Sequence, residues 1–210
     1  QQRWSGNPTA ATPSQFNIEH RFLAVLDYSK TFFGDNETRF TLVVNRQSGE
    51  PYSVTIDTSR GLGGLAYGGY DLAYVPTSVN DSVVEFSSPE VAAAVMAHVD
   101  GSDLSRFKGS YAPRNAFTSP WITRMDIRIT QEINLPEFAS AIGENKALIY
   151  LDILNVGNLL DEDNGIVRDF RFNTSRQFDS SGTTDDGRII YTGIDPDDNS
   201  RILFTEGKSS

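Results

Sequence analysis

Hydrophobic and polar side chains take turns along four stretches of the sequence. Between Ser119 and Glu132 the odd positions carry Trp121, Thr123, Met125, Ile127 and Ile129, while the even ones carry Ile122, Arg124, Asp126, Arg128, Thr130 and Glu132. Successive side chains on a strand point to opposite faces, so this spacing predicts a strand with one apolar and one charged face. Ala147 to Leu160 repeats the pattern less cleanly, with Ile149, Leu151 and Ile153 against Tyr150 and Asp152. Earlier in the chain, Phe22, Ala24, Leu26 and Tyr28 share one face, and Glu19, Arg21, Asp27 and Ser29 share the other. Phe40, Leu42 and Val44 lie opposite Arg39, Thr41, Asn45 and Gln47. Gly34-Asp35-Asn36-Glu37 reads as a tight turn between these two runs, which predicts a hairpin within residues 18–57. Residues 119–160 supply the second strand pair. Each long run suffices to cross a bilayer as a tilted strand, which takes about 9–11 residues. A soluble sheet with one wet face gives the same alternation, so periodicity alone does not separate the two.

The segments between and after these pairs set the rhythm. Residues 1–17 are polar, with Pro8 and Pro13, and read as loop or linker. Tyr52 to Asp57 reads as a prolongation of the preceding strand past a kink at Gly49 to Pro51. Residues 58–118 read as one long loop that opens on the glycine-rich run Arg60 to Tyr70. Ser88-Pro89-Glu90 is a helix start, and the stripe Val91, Ala92, Val95, Met96 and Val99 predicts a short helix over 89–98. Residues 161–210 read as a second long loop, with a small hairpin formed by Arg188 to Ile194 and Arg201 to Glu206 around DPDDNS. From Asp161 to Glu206 eleven acidic residues stand against five arginines, a net of −6.

Short connections within pairs and long ones between them are the rhythm of an up-and-down membrane barrel. The expectation is therefore an all-β fold: an antiparallel, up-and-down transmembrane β-barrel segment of about four long strands, with long extracellular loops and one helix in the first. Its lumen face would hold Arg21, Asp27, Arg39, Arg124, Asp126, Arg128 and Asp152. Its lipid face and aromatic girdle would hold Tyr28, Phe40, Trp121, Ile127 and Ile129, with Phe32 as a further girdle candidate. The rival is a secreted or surface β-sandwich whose apolar faces pack on each other. It would bind glycan or protein through the loop at 61–74, where Tyr67, Tyr70, Asp71 and Tyr74 are the candidate contacts.

Charge and composition narrow the partners. Twenty-eight acidic residues against eighteen basic ones give a net charge of −10, which argues against a nucleic-acid partner. There is no cysteine, so no disulfide frame and no thiolate metal site is available. No apolar run approaches the roughly 20 residues of a membrane-spanning helix. The polar ends, QQRWSGNP and EGKSS, suggest a piece cut from a longer protein.

At this point the residues carry a resemblance. Ala112 to Gln131 (APRNAFTSPWITRMDIRITQ), followed by Leu151 to Leu160 (LDILNVGNLL), resembles the C-terminal barrel segment of Oar-like TonB-dependent receptors. Glu19 to Phe22, Gln47 to Tyr52 (QSGEPY) and Asp71 to Pro76 are similar to that family in the same order. The resemblance covers about Phe16 to Leu160. It implies an outer-membrane receptor with a carboxypeptidase-regulatory-like domain, a plug and a large barrel, working in energised transport. The implied partners are the rest of the barrel and plug, the TonB complex and outer-membrane lipid. No plug and no TonB-contacting segment is visible in these residues, and Ser210 stops short of the closing aromatic strand, so the barrel segment is incomplete. A last strand that must descend to the periplasm then puts both long segments outside the cell.

Catalytic chemistry finds little support, and the chain is not expected to be an enzyme. The two histidines, His20 and His98, fall in different predicted elements, and nothing marks a nucleophile elbow. Gly61, Gly63 and Ala66 match the spacing of a dinucleotide fingerprint, but Gly68-Gly69 arrives where its helix must run. No cofactor is expected, with calcium the one candidate: Asp195, Asp197 and Asn199 alternate oxygen ligands, yet Ser200 stands where the loop glycine belongs. Asp161, Asp163 and Asn164 before Gly165 are similarly incomplete.

Overall fold

The structure, a computed structural model, describes residues 11–58, 71–135, 146–159, 166–170, 173–195 and 200–204. Those residues are mostly β-sheet with a single α-helix. Strands are numbered along the chain. The chain divides into two compact units, one drawn from residues 19–48, 120–167 and 203–210 and the other from residues 1–18, 49–119 and 168–202.

The first unit is a four-stranded antiparallel sheet of β1 (Arg21–Phe33), β2 (Asn36–Gln47), β9 (Ile122–Asn134) and β10 (Lys146–Ile153), in that spatial order. The alternating residues named above form these strands, because each can place its apolar set on one common face. A two-residue turn, Gly34-Asp35, closes the first hairpin, and Gly34 sits at φ 62, where a Cβ would strain the backbone. β10 ends at Ile153 rather than reaching Leu160, because Asn155 takes a left-handed φ of 53 and the chain enters a 3₁₀ turn over Val156–Leu159. The sheet is a single layer. Every residue of β1 is exposed, and Leu26 and Leu151 remain 63 % and 58 % accessible.

The second unit overturns the expectation of loops at 58–118 and 161–210. Its main sheet runs β4 (Asp71–Leu72), β3 (Pro51–Thr58), β12 (Thr174–Thr183), β13 (Ile189–Ile194), β6 (Val84–Phe86), with β8 (Phe117–Thr118) also pairing β3. A separate short ladder joins β5 (Tyr74–Val75) to β7 (Ser110–Tyr111). β3 therefore does not prolong β2; it is an inner strand of another sheet, with Val54 and Ile56 fully buried. β3 lies parallel to β12, and β6 lies parallel to β13, pairings that an up-and-down meander does not contain. The predicted helix is present as α1 (Pro89–Asp100), two residues longer than expected. Ser88 caps it by accepting the Val91 N–H, and Ala92, Val95 and Val99 turn inward onto β13 and β6. The core gathers Val54, Ile56, Val75, Val95, Leu104, Phe178 and Tyr191, all with at most 1 % exposure.

Among the described residues the small hairpin expected across DPDDNS is not found. β13 instead pairs antiparallel with β12, and β14 (Ser200–Phe204) pairs with β11 (Ile166–Phe170). The reason is hydrophobic: Ile189 and Tyr191 are buried in the core, a gain that a hairpin standing in solvent cannot offer.

Candidate functional site

The four-stranded sheet carries the geometry with the clearest chemical consequence. Cα partners in a ladder share a face, so its register assigns every side chain. Leu26, Leu42, Ile127 and Ile153 form one row across all four strands. Tyr28, Phe40, Ile129 and Leu151 form the next on the same face, and Ala24, Val44 and Met125 flank the first row on its other side. The result is a continuous apolar surface that no second layer of the same unit covers among the described residues.

Aromatic rings mark both ends of that surface. At one end Phe22 stacks on Trp121 at 6.1 Å, and the His20 ring lies nearly parallel to the indole, also at 6.1 Å. At the other, Phe40 meets Tyr28 at 6.4 Å and Phe32 edge-on at 6.5 Å. Tyr28, Phe40, Trp121, Ile127 and Ile129 thus share one face, the grouping the alternation predicts. From Phe22 to Phe32 is ten steps along β1, roughly 34 Å of strand. Tilted by about 40° this spans roughly 26 Å, close to the ~25 Å apolar band of outer-membrane barrels.

The opposite face is polar. Asp27, Thr41, Arg128 and Asp152 form a row across all four strands, directly behind the apolar rows. Thr41 Oγ1 donates to Asp27 at 2.5 Å, and Arg128 grips Asp152 with two bonds of 2.6 and 2.8 Å. The Arg128 guanidinium also sits 5.1 Å above the Tyr150 ring. Further along, Arg39 pairs with Glu37 at 2.7 Å, Lys146 with Glu132 at 2.9 Å, and Arg21 Nε donates to Asn45 at 3.3 Å. Arg124 donates to Asp126 at 3.1 Å, and Asp126 accepts the backbone N–H of Asn155 at 2.7 Å, which anchors the end of β10. All seven charged residues predicted for one face lie on it. Leu23, Val25, Val43 and Leu148 interrupt its polarity, and the alternation of their neighbours did not announce them. Exposed pairs of this kind contribute little stability, so the ladder acts mainly to balance charge along this face.

The Gly34-Asp35 turn and the link from β9 to β10 leave the sheet at one end, since Thr38 is opposite Gln131 and Asn134 opposite Lys146. The ends of β2 and β10 from which the long excursions leave point the other way, β2 ending opposite Arg21 and β10 in the row of Ile127.

The second unit holds the remaining candidates. Tyr74, expected in a ligand loop, is only 7 % exposed; its hydroxyl donates to Asp81 and its carbonyl accepts the Tyr191 hydroxyl at 2.5 Å. It is a core residue, because Ala73 and Val75 beside it are wholly buried. Asp71 lies on β4, while Tyr67 and Tyr70 fall outside the described residues, as do the glycine fingerprint at 61–66 and the acidic groups at 161–164. Asp195 is described, but Asp197 and Asn199 are not, and no cluster of three acidic or histidine ligands occurs among the described residues. His98 hydrogen-bonds Gln177 at 2.9 Å and packs edge-on to Phe178, a structural setting.

An open cleft of about 710 Å³ was not foreseen; it is lined by Asp81, Glu85, Phe86, Ser88 and Arg188 among others. Its cation is already engaged, since Arg188 bridges Glu85 at 2.7 Å and Asp186 at 2.9 Å. Hydrogen bonds from Thr184 and Arg188 hold the Asp186 carboxyl below its usual range. Burial pushes the Asp81 carboxyl up, but bonds from the Thr77 and Val83 N–H groups and the Thr77 and Tyr74 hydroxyls together outweigh it and hold it down. Burial raises the Tyr191 hydroxyl well above its ordinary value. None of these groups is poised for proton transfer near neutrality.

Compared with known protein families, curated proteins and solved structures, the chain matches none.

Proposed function

We propose that the four-stranded sheet is a section of the wall of an outer-membrane β-barrel, and that the protein is part of a TonB-dependent receptor. The observation that carries this reading is the single-layer sheet. One face is apolar across all four strands, uncovered and ringed by aromatics at two levels; the other bears an ion-pair ladder. In water such a sheet leaves its apolar face unburied, whereas hydrocarbon covers it without a protein partner. Among the described residues no strand pairs with the outer edges of β1 and β10, and such edges are costly in lipid, which supports further strands of the same barrel as their partners. The residue resemblance to Oar-like receptors gives the assignment its functional content: energised movement of a substrate across the outer membrane, with plug and TonB contacts supplied elsewhere in the receptor. The second unit, inserted between β2 and β9 and continued after β10, would stand outside the cell and contribute to ligand capture.

Size-exclusion chromatography with circular dichroism, in buffer and then in detergent, tests this reading. The barrel section predicts aggregation in buffer and a monodisperse β-rich species in detergent. A water-soluble monomer with one cooperative melt would overturn it and favour a secreted binding module.

A further inference from the structure

Two charged side chains stand on the apolar face, and they occupy its opposite ends. Arg46 shares that face by its register with Phe22 and Thr123, and Lys30 by its register with Thr38. Both are exposed, and neither has a carboxylate partner among the described residues. This contrasts with the opposite face, where Arg39, Arg124, Arg128 and Lys146 each hold an acid. Each of the two lies over an aromatic ring: the Arg46 guanidinium 5.5 Å from Trp121, and the Lys30 ammonium 5.5 Å from Phe32. His20 stacks on the same indole, its Nε2 3.8 Å from the Glu19 carboxylate.

We infer that Arg46, framed by Trp121 and His20, binds the phosphate of an anionic lipid headgroup, with Lys30 and Phe32 making the equivalent contact at the other interface. This rests on the proposal that the apolar face meets lipid. A cation on a lipid-facing surface needs an anion, and the headgroup layer is where a long side chain over an interfacial ring finds one. Arg46 and Lys30 lie on rows eight positions apart along β1, at Phe22 and Lys30, roughly 27 Å of strand or about 20 Å of depth at a 40° tilt. That separation places both heads at the margins of the hydrocarbon. A guanidinium offers paired donors that match a phosphate, and the indole holds it in plane. Bulk electrostatics opposes the contact, because the chain carries −10 overall. Any preference for anionic lipid at this spot must therefore come from the local cations.

The test uses the full chain with Trp4→Phe, which leaves Trp121 as the single tryptophan. The protein is reconstituted in vesicles doped with brominated phosphatidylglycerol or brominated phosphatidylcholine, and quenching of Trp121 reports which lipid sits beside it. At about 1 kcal/mol per basic residue near the headgroups, the local enrichment of the anionic lipid is about fivefold. Arg46→Gln should bring the two quenching efficiencies together without lowering the total, and high salt should do the same. Excess inorganic phosphate at matched ionic strength should leave the preference intact; its loss would reassign the site to free phosphate. Equal quenching by both lipids in the parent, or a preference that survives Arg46→Gln, would overturn the headgroup contact while leaving the lipid-facing assignment standing. No quenching by either lipid would overturn both.

Discussion

Ile127→Arg separates a lipid-facing from a water-facing wall. Ile127 is four positions from Thr123, in the Arg46 row, and four from Gln131, in the Lys30 row, about 14 Å of strand either way and about 10 Å of depth at a 40° tilt of the proposed wall. It lies in the central row with Leu26, Leu42 and Ile153, whose side chains line the same face. An arginine there cannot bring its head to either interface, and a midplane charge costs roughly 2–4 kcal/mol in a barrel wall. The neighbouring position points the other way. Asp126 accepts bonds from Arg124 and from the Asn155 N–H, and an asparagine oxygen can accept both. Asp126→Asn should therefore leave assembly nearly unchanged. The assay is urea-driven unfolding of the β signal from vesicles, comparing the parent with each variant. Ile127→Arg should lower the midpoint sharply or prevent insertion, with Asp126→Asn close to the parent. The reverse order, or two indifferent variants, would refute the face assignment.

Two further predictions concern the second unit. Tyr191→Phe removes the 2.5 Å bond to the Tyr74 carbonyl in a fully buried setting, and should cost about 1–2 kcal/mol in chemical denaturation, with the slope unchanged. Asp81 has its carboxyl pKa depressed in the folded state. Its contribution is fully present above the unfolded value near ~3.9 and is lost as pH falls through the lower folded value. Asp81→Asn should therefore flatten the acid limb of the stability profile below about pH 4 while lowering stability near neutrality; an unchanged acid limb would contradict the assigned bonds.

The alternation made the long sheet readable because each residue there answers to one local rule. Phe22 to Tyr28, Phe40 to Val44 and Met125 to Ile129 reveal their faces by parity alone, and Arg124 with Asp126 is a same-face pair visible at a spacing of two. The partnership of Arg128 with Asp152 needed register, which period two leaves undetermined, since a slip by two residues preserves both faces. The second unit was misread as loops for a related reason. Val54 and Ile56 take their partners from Ser175 to Phe178, more than a hundred residues away, and strands as short as Asp71–Leu72 leave no periodicity to detect. Tyr74 looked like an exposed ligand contact because Asp71, Pro76 and the glycines before them have loop chemistry. Its burial follows from the ladder with Tyr111 and the hydroxyl of Tyr191, neither of which is local.

The most direct test of the membrane-wall account exploits the absence of cysteine. Single cysteines placed in turn at Arg124, Met125, Asp126, Ile127, Arg128 and Ile129, labelled with bimane in vesicles, report polarity position by position along β9. A membrane wall predicts strict alternation, with blue-shifted emission at 125, 127 and 129 and water-like emission at 124, 126 and 128. Uniformly water-like emission, or the opposite phase, would contradict it.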